Sequence, residues 1–137
     1  MTMQVEVVSP ERILYSGEAA SVIARTVGGG EIAFLTGHAP FVGALEIATV
    51  TVRSTTGEAN DQVVAVHGGF VEVSGDTVTI LSDVAELSDQ IDVDRAERAK
   101  EAAEAALRES TDDAEAAAAL RRATVRIDAA RGASVAH

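Results

Sequence analysis

The chain has 137 residues and a net charge of -11, no cysteine, and two prolines against eleven glycines. That length holds one ordinary domain or a small core with an appendage, and the missing thiols exclude disulfides, thiolate metal sites and redox motifs. So acidic a surface repels phosphate backbones and anionic headgroups, which excludes nucleic acid as a partner.

The charge is uneven: residues 1–90 carry 12 Asp/Glu against 3 Lys/Arg, and residues 91–137 carry 10 against 8. The opening MTMQVEVVSPERIL goes directly into alternating residues, without the basic and apolar regions of a signal peptide, as expected of a mature cytosolic start. No run approaches the roughly 18 to 20 apolar residues that cross a bilayer. Any membrane association is therefore expected to come through a partner.

From the N-terminus to about Asp89 the pattern has period two. Strands are expected near 4–8, 12–16, 20–25, 31–34, 48–52, 62–67, 70–73 and 77–80, with Ala48, Val50 and Val52 alternating against Thr49, Thr51 and Arg53. Gly28-Gly29-Gly30, Gly57, Gly68-Gly69 and Ser74-Gly75-Asp76 are expected as the turns between them. About 8 to 10 short strands so punctuated predict a flattened β-sandwich or barrel over residues 1–90.

After Ile91 the period becomes helical. Asp94 and Glu97 have capping-box spacing and predict a first helix over 94–109. Ser110-Thr111-Asp112-Asp113 is a short connection in which Asp112 or Asp113 caps a second helix ending near Arg131. The fold class is thus α+β, with an antiparallel α-helical hairpin over 91–137. Ala96, Ala99, Ala103 and Ala106 form one seam, and Ala116, Leu120, Ala123, Ile127 and Ala130 the other. Such a seam holds the hairpin weakly, because an alanine methyl buries little area, at roughly 0.8 kcal/mol per methylene equivalent. The helices themselves are strong, being alanine-rich and carrying Asp94/Arg98 and Glu104/Arg108 at i,i+4. These two properties together describe a hairpin able to open without melting.

Catalysis by this chain has little support. The histidines are His38, His67 and the terminal His137, with no close pair and no carboxylate beside one, and no nucleophile with a base is visible. Gly28-Gly29-Gly30 is followed by Glu31 and strand residues rather than by the Gly-Lys-Ser/Thr and helix of a phosphate loop.

Four segments resemble the epsilon subunit of the rotary F-type ATP synthase: VSPERILYSGEA at 8–19, EIAFLTGHAPFVGAL at 31–45, VHGGFVEVSGDTVTILSDVAE at 66–86 and IDVDRAERAKEAAEAAL at 91–107. They span nearly the whole chain in the family's order. The resemblance implies a non-catalytic rotor subunit of the central stalk. Its sandwich grips the gamma subunit and rests on the c-ring, so that ring rotation driven by protons or sodium ions reaches the catalytic head. The hairpin folds on the sandwich, or extends to the alpha and beta subunits and blocks ATP hydrolysis. It also implies a peripheral location on the cytoplasmic face of the bacterial cell membrane, no required cofactor, and ATP as a regulatory ligand.

The residues carry these expectations one by one. Ile91-Asp92-Val93-Asp94-Arg95-Ala96 matches the family's Ile/Leu-Asp-x-x-Arg-Ala, Glu86 matches an acidic residue of ATP-binding members, and Arg122 and Arg126 match its second-helix arginines. The implied nucleotide site is therefore Glu86, Ile91, Asp92, Arg95, Ala96, Arg122 and Arg126. Ala102 and Ala103 stand where ATP-binding members often carry another long basic side chain. Arg122 and Arg126 are one turn apart, and guanidinium groups suit phosphate. Both also suit a solvated helix C-terminus, where cations complement the dipole. In an extended hairpin Arg121, Arg122, Arg126 and Arg131 would meet the catalytic head. Glu31 and His38 mark the sandwich edge implied to face the c-ring and the foot of gamma. The competing reading is a stand-alone ATP-sensing β-sandwich module, which would bind nucleotide without gamma.

Overall fold

A computed structural model describes residues 2–132, so His137 lies outside the described residues. The elements are β1 (Met3–Val8), β2 (Ile13–Ala19), β3 (Ser21–Thr26), β4 (Gly30–Leu35), β5 (Phe41–Arg53), β6 (Gln62–Ser74), β7 (Thr77–Leu81), β8 (Ala85–Leu87), α1 (Val93–Glu109) and α2 (Ala114–Gly132). The strands join in the order β2-β1-β7-β6-β5-β3-β4, with β8 paired to β6. β1 and β7 pair in parallel, and the remaining neighbours are antiparallel. One core cluster takes Met3, Val5 and Val7 from β1, Phe34 from β4 at the far edge, and Val78 and Ile80 from β7. Residues from opposite ends of the strand order can share a core only if the sheet folds over on itself. The strands therefore form the expected sandwich.

One expected turn and one expected strand boundary change. Gly68-Gly69 does not separate two strands: β6 runs through both glycines, at φ 87 and φ 122. Residues 41–47, outside any expected strand, are the first half of β5, which pairs with β6 without a register break from Phe41↔Val73 to Val52↔Gln62. At the glycines the inward phase changes parity. β6 turns Val64 and Val66 into the core before the kink and Val71 and Val73 after it, and β5 follows, with Leu45 on one side and Val50 and Val52 on the other. The ribbon turns over as a unit, so Val63, Ala65 and His67 share the face away from the sandwich core. β8, three residues long, is too short to produce a period of its own.

The helices form a hairpin joined by 110–113. Asp113 Oδ1 accepts the Ala116 N–H at 2.9 Å and caps α2. α1 begins two residues earlier than its capping-box spacing suggests. Its N-cap is Asp92, in extended backbone, whose Oδ1 accepts the Arg95 N–H at 3.1 Å. Asp94 instead sits in the first turn, where a carboxylate complements the helix N-terminus. The Asp94/Arg98 and Glu104/Arg108 pairs are not among the ion pairs of the described residues, whereas Arg122 reaches Glu115 at 2.9 Å and Arg131 reaches Glu97 at 3.7 Å.

α1 packs on α2, and α2 lies between α1 and the β5–β6 ribbon. Ala96 and Ala103 are buried on α1, and Ala116, Ala123 and Ile127 on α2. Ala99, expected in the seam, is exposed. α2 carries a second buried stripe, Val125 and Ala129, two residues on from Ala123 and Ile127 and so about 200° round the helix. That stripe meets Val63 and Ala65, with Ile47 and Ile91 packed alongside. The hairpin is thus folded onto the sandwich, across a small apolar contact in which two of the four buried side chains are alanine.

Candidate functional site

A cleft of about 310 Å3 opens where the end of the strand region meets both helices. β8 supplies Glu86, the segment after it supplies Gln90, α1 and its cap supply Asp92, Arg95, Ala96 and Ala99, and α2 supplies Arg126. Short-range folding explains one part of the convergence, and long-range packing the other. Capping fixes Asp92 at the helix start, and one helical turn then brings Arg95, Ala96 and Ala99 to a single side. Arg126 comes from 40 positions beyond Glu86 and arrives only because α2 folds back on β6.

Five of the seven expected residues, Glu86, Asp92, Arg95, Ala96 and Arg126, line this cleft. Two do not. Ile91 packs beneath it on the apolar contact, and the Arg122 guanidinium turns to Glu115. Gln90, which no motif marks, also lines the cleft, as does Ala99, expected in the seam because its alanine spacing is indistinguishable from that of its buried neighbours.

His67 was also missed. Its side chain is 4% exposed, and its Nε2 lies 3.0 Å from Glu86 Oε1. The same oxygen accepts from Arg126 Nε at 2.7 Å. An ionised carboxylate only accepts, so His67 Nε2 carries a proton. Nδ1 is buried and has no partner. Burial lowers the His67 pKa, outweighing the hydrogen bond to Glu86 that raises it, and Arg126 and Arg122 add to the lowering. At Glu86 burial pushes upward, but the hydrogen bonds from Arg126 and His67 and their charges prevail and hold the carboxyl below its usual range. The arrangement is an ionised carboxylate held between a guanidinium and a neutral imidazole.

Chemically the cleft offers two guanidiniums, on Arg95 and Arg126, and two carboxylates, on Glu86 and Asp92. The first pair suits phosphate oxygens, and the second accepts from amino or hydroxyl groups. A larger hollow of about 460 Å3 is lined mainly by apolar groups, including Val8, Pro10, Phe70 and Leu81. Among the described residues no group of three or more His, Asp or Glu is placed to hold a metal.

The remaining expected residues lie elsewhere. Glu31 is exposed on β4 and pairs with Arg25 at 3.7 Å. His38 donates through Nδ1 to its neighbour's Ala39 carbonyl at 2.7 Å and sets its ring edge-on to Phe34, 5.0 Å between centroids. Leu35 and Val42 flank it at 58% and 68% exposure. Arg121 and Arg131 are exposed on α2. No described helix is long and apolar enough to cross a membrane.

Comparison with known proteins covers both parts of the chain. Residues 2–88 match the family described as ATP synthase, Delta/Epsilon chain, beta-sandwich domain, and residues 89–131 match the ATP synthase, Delta/Epsilon chain, long alpha-helix domain. An ATP synthase epsilon chain of Streptomyces griseus is 46% identical over 127 residues, covering 93% of this chain and 94% of that one. One from Moorella thermoacetica is 45% identical over 132 residues, 94% of this chain and 96% of that one. One from Brevibacillus brevis is 50% identical over 108 residues, 78% of this chain and 79% of that one. Among solved structures, a chain of the Euglena gracilis mitochondrial ATP synthase, OSCP/F1/c-ring, shares the fold with a TM-score of 0.78 at 24% identity, over 95% of this chain and 81% of that chain.

Proposed function

The chain belongs to the ATP synthase delta/epsilon family, and from that premise we propose that its sandwich and its hairpin divide the work of a central-stalk subunit between them. The subunit is a non-catalytic part of the rotor of an F-type ATP synthase. Its sandwich binds gamma and rests on the c-ring, with Glu31, His38 and the exposed Leu35 and Val42 forming part of the docking edge. Exposed apolar side chains beside fixed polar ones are what a protein interface uses. Membrane association comes through the complex, on the cytoplasmic face of the bacterial cell membrane.

The hairpin regulates ATP hydrolysis. The observation that carries this reading is the way α2 is fastened to the strands among the described residues: an apolar contact of two valines and two alanines, with Ile47 and Ile91 alongside, and the ion pair of Glu86 with Arg126. So small an interface lets the helices leave the sandwich intact, and their alanine content keeps them helical when they do. Extended, Arg121, Arg122, Arg126 and Arg131 are available to acidic surfaces of the alpha and beta subunits. Folded, the cleft takes ATP as a regulatory ligand. Arg95 and Arg126 meet the phosphates, and Glu86 and Asp92 accept from the adenosine. Arg122, one turn from Arg126, joins them by giving up Glu115, an exposed partner worth at most about 1 kcal/mol. ATP then bridges α1 and α2 and favours the folded hairpin.

Titration of ATP into the full chain tests the cleft. Replacing both Arg122 and Arg126 with alanine is expected to weaken binding at least tenfold, since charge-assisted bonds to phosphate contribute about 1.5–3 kcal/mol each. Equal affinities in wild type and double variant would remove the arginines from the site.

A further inference from the structure

His67 belongs to neither expected site, yet it stands where the two parts of the molecule meet. β6 carries it on the face that Val63 and Ala65 present to α2, one alternation short of the Gly68-Gly69 kink. Its Nε2–H donates to the Glu86 oxygen that also accepts from Arg126, so one carboxylate oxygen joins β6, β8 and α2. Its other nitrogen is buried and unpartnered. We propose that His67 is the positioning residue that holds Glu86 against Arg126, so that the folded hairpin is fastened to the sandwich through a neutral imidazole and released when that imidazole gains a proton. The proposal rests on the reading of the hairpin as a movable element.

The chemistry of the two nitrogens gives the direction. The neutral ring satisfies Glu86 and asks nothing of its surroundings at Nδ1. The protonated ring has a second N–H, which would be a buried donor with no acceptor, a costly state. The charged groups facing it are Glu86 from β8 and Arg126 and Arg122 from α2, two cations against one anion. Asp83, after β7, lines the hollow that His67 also borders, and Asp92 and Arg95 of α1 share the cleft with Glu86. Departure of α2 removes both arginines and admits water to Nδ1.

Folded, His67 is held below the ordinary imidazole value of 6.5. Between that lowered value and 6.5 the folded hairpin binds fewer protons than the open one. The fastening is therefore complete above 6.5 and is lost as pH falls through this window. The open-to-folded ratio rises by up to about tenfold per pH unit there. Glu86 is also held below its ordinary 4.5, so its contribution is lost only as pH falls below 4.5, in a separate and more acid window.

The chain has no native cysteine, so spin labels on Glu58→Cys in the β5–β6 connection and Asp112→Cys in the helix connection report the folded fraction of the full chain by their distance distribution. The wild type should be folded at about pH 7.5 and open progressively as pH falls from 6.5 towards 4.5, above the window of Glu86. His67→Gln keeps an N–H donor near the Nε2 position and has no proton to gain. It should fold like the wild type at the higher pH and show no response in that window. His67→Leu should raise the open fraction several-fold at every pH. A wild type unresponsive between these values, a His67→Gln curve that follows the wild type, or a His67→Leu protein as folded as the wild type would each overturn the proposal. Arg126→Glu separates the two ideas. If it opens the hairpin while the His67 results fail, only the role of His67 is wrong; if it too stays folded, the movable hairpin is wrong. ATP is absent throughout, so the outcome does not depend on nucleotide binding.

Discussion

Removal of residues 91–137 is expected to leave a folded sandwich that still assembles with gamma, while the assembled enzyme hydrolyses ATP several-fold faster because its inhibitory element is gone. The core supports the first half. Its sixteen buried residues, from Met3 to Ile80, all lie in strands before residue 82. The deletion uncovers Val63 and Ala65 and the partly buried Ile47, and frees His67 and Glu86 from Arg126. Lost burial of this size costs on the order of 2 kcal/mol, a minor fraction of the stability of a domain with so continuous a core. Circular dichroism on the truncated chain and hydrolysis assays on the reconstituted complex measure the two halves separately. Unchanged hydrolysis would remove the inhibitory role, and an unfolded truncation would show that the hairpin is part of the core.

Gly69→Ala is expected to destabilise the sandwich by more than about 3 kcal/mol, the range reached when backbone strain and a steric clash coincide. At φ 122 an L-residue is already strained, and a Cβ would lie within the radius of the Leu81 carbonyl oxygen and 3.0 Å from the Leu81 carbonyl carbon and Ser82 Cα. Both are backbone of β7 and the turn after it, and cannot rotate aside. Gly28→Ala is the control: φ is 78, but nothing lies within 4 Å of the added carbon, so its cost is near 1 kcal/mol. Urea unfolding midpoints of the two variants should differ accordingly, and equal midpoints would contradict the close approach of β6 to β7. The functional consequence lies next door, since this kink sets the face on which His67 meets Glu86.

Much of this was legible in the residues. Val63-Val64-Ala65-Val66 is a continuous apolar run in a chain of alternating strands, and the structure gives it two buried faces, the sandwich core on one side and α2 on the other. Asp92, Arg95 and Ala96 come together because a helix start is local, and motif spacing reports local geometry well. The glycine pair at 68–69 was misread because a turn and a kink inside a strand need the same positive φ, and composition does not distinguish them. His67 had no motif to carry it. Its importance depends on the parity change at those glycines and on a carboxylate and a guanidinium separated from each other by 40 positions in the chain. His38, the more conspicuous histidine in the sequence, is held by its own loop and by Phe34. It contributes shape to an edge, and among the described residues no group of three or more His, Asp or Glu is placed there to hold a metal.

The division of labour between sandwich and hairpin depends on the sandwich being bound to the rotor. The most direct measurement is therefore size-exclusion chromatography of the full chain mixed with its gamma subunit. The account predicts one stoichiometric complex that forms at neutral pH, survives removal of residues 91–137, and needs no nucleotide. A chain that elutes as a free monomer with no affinity for gamma would contradict it.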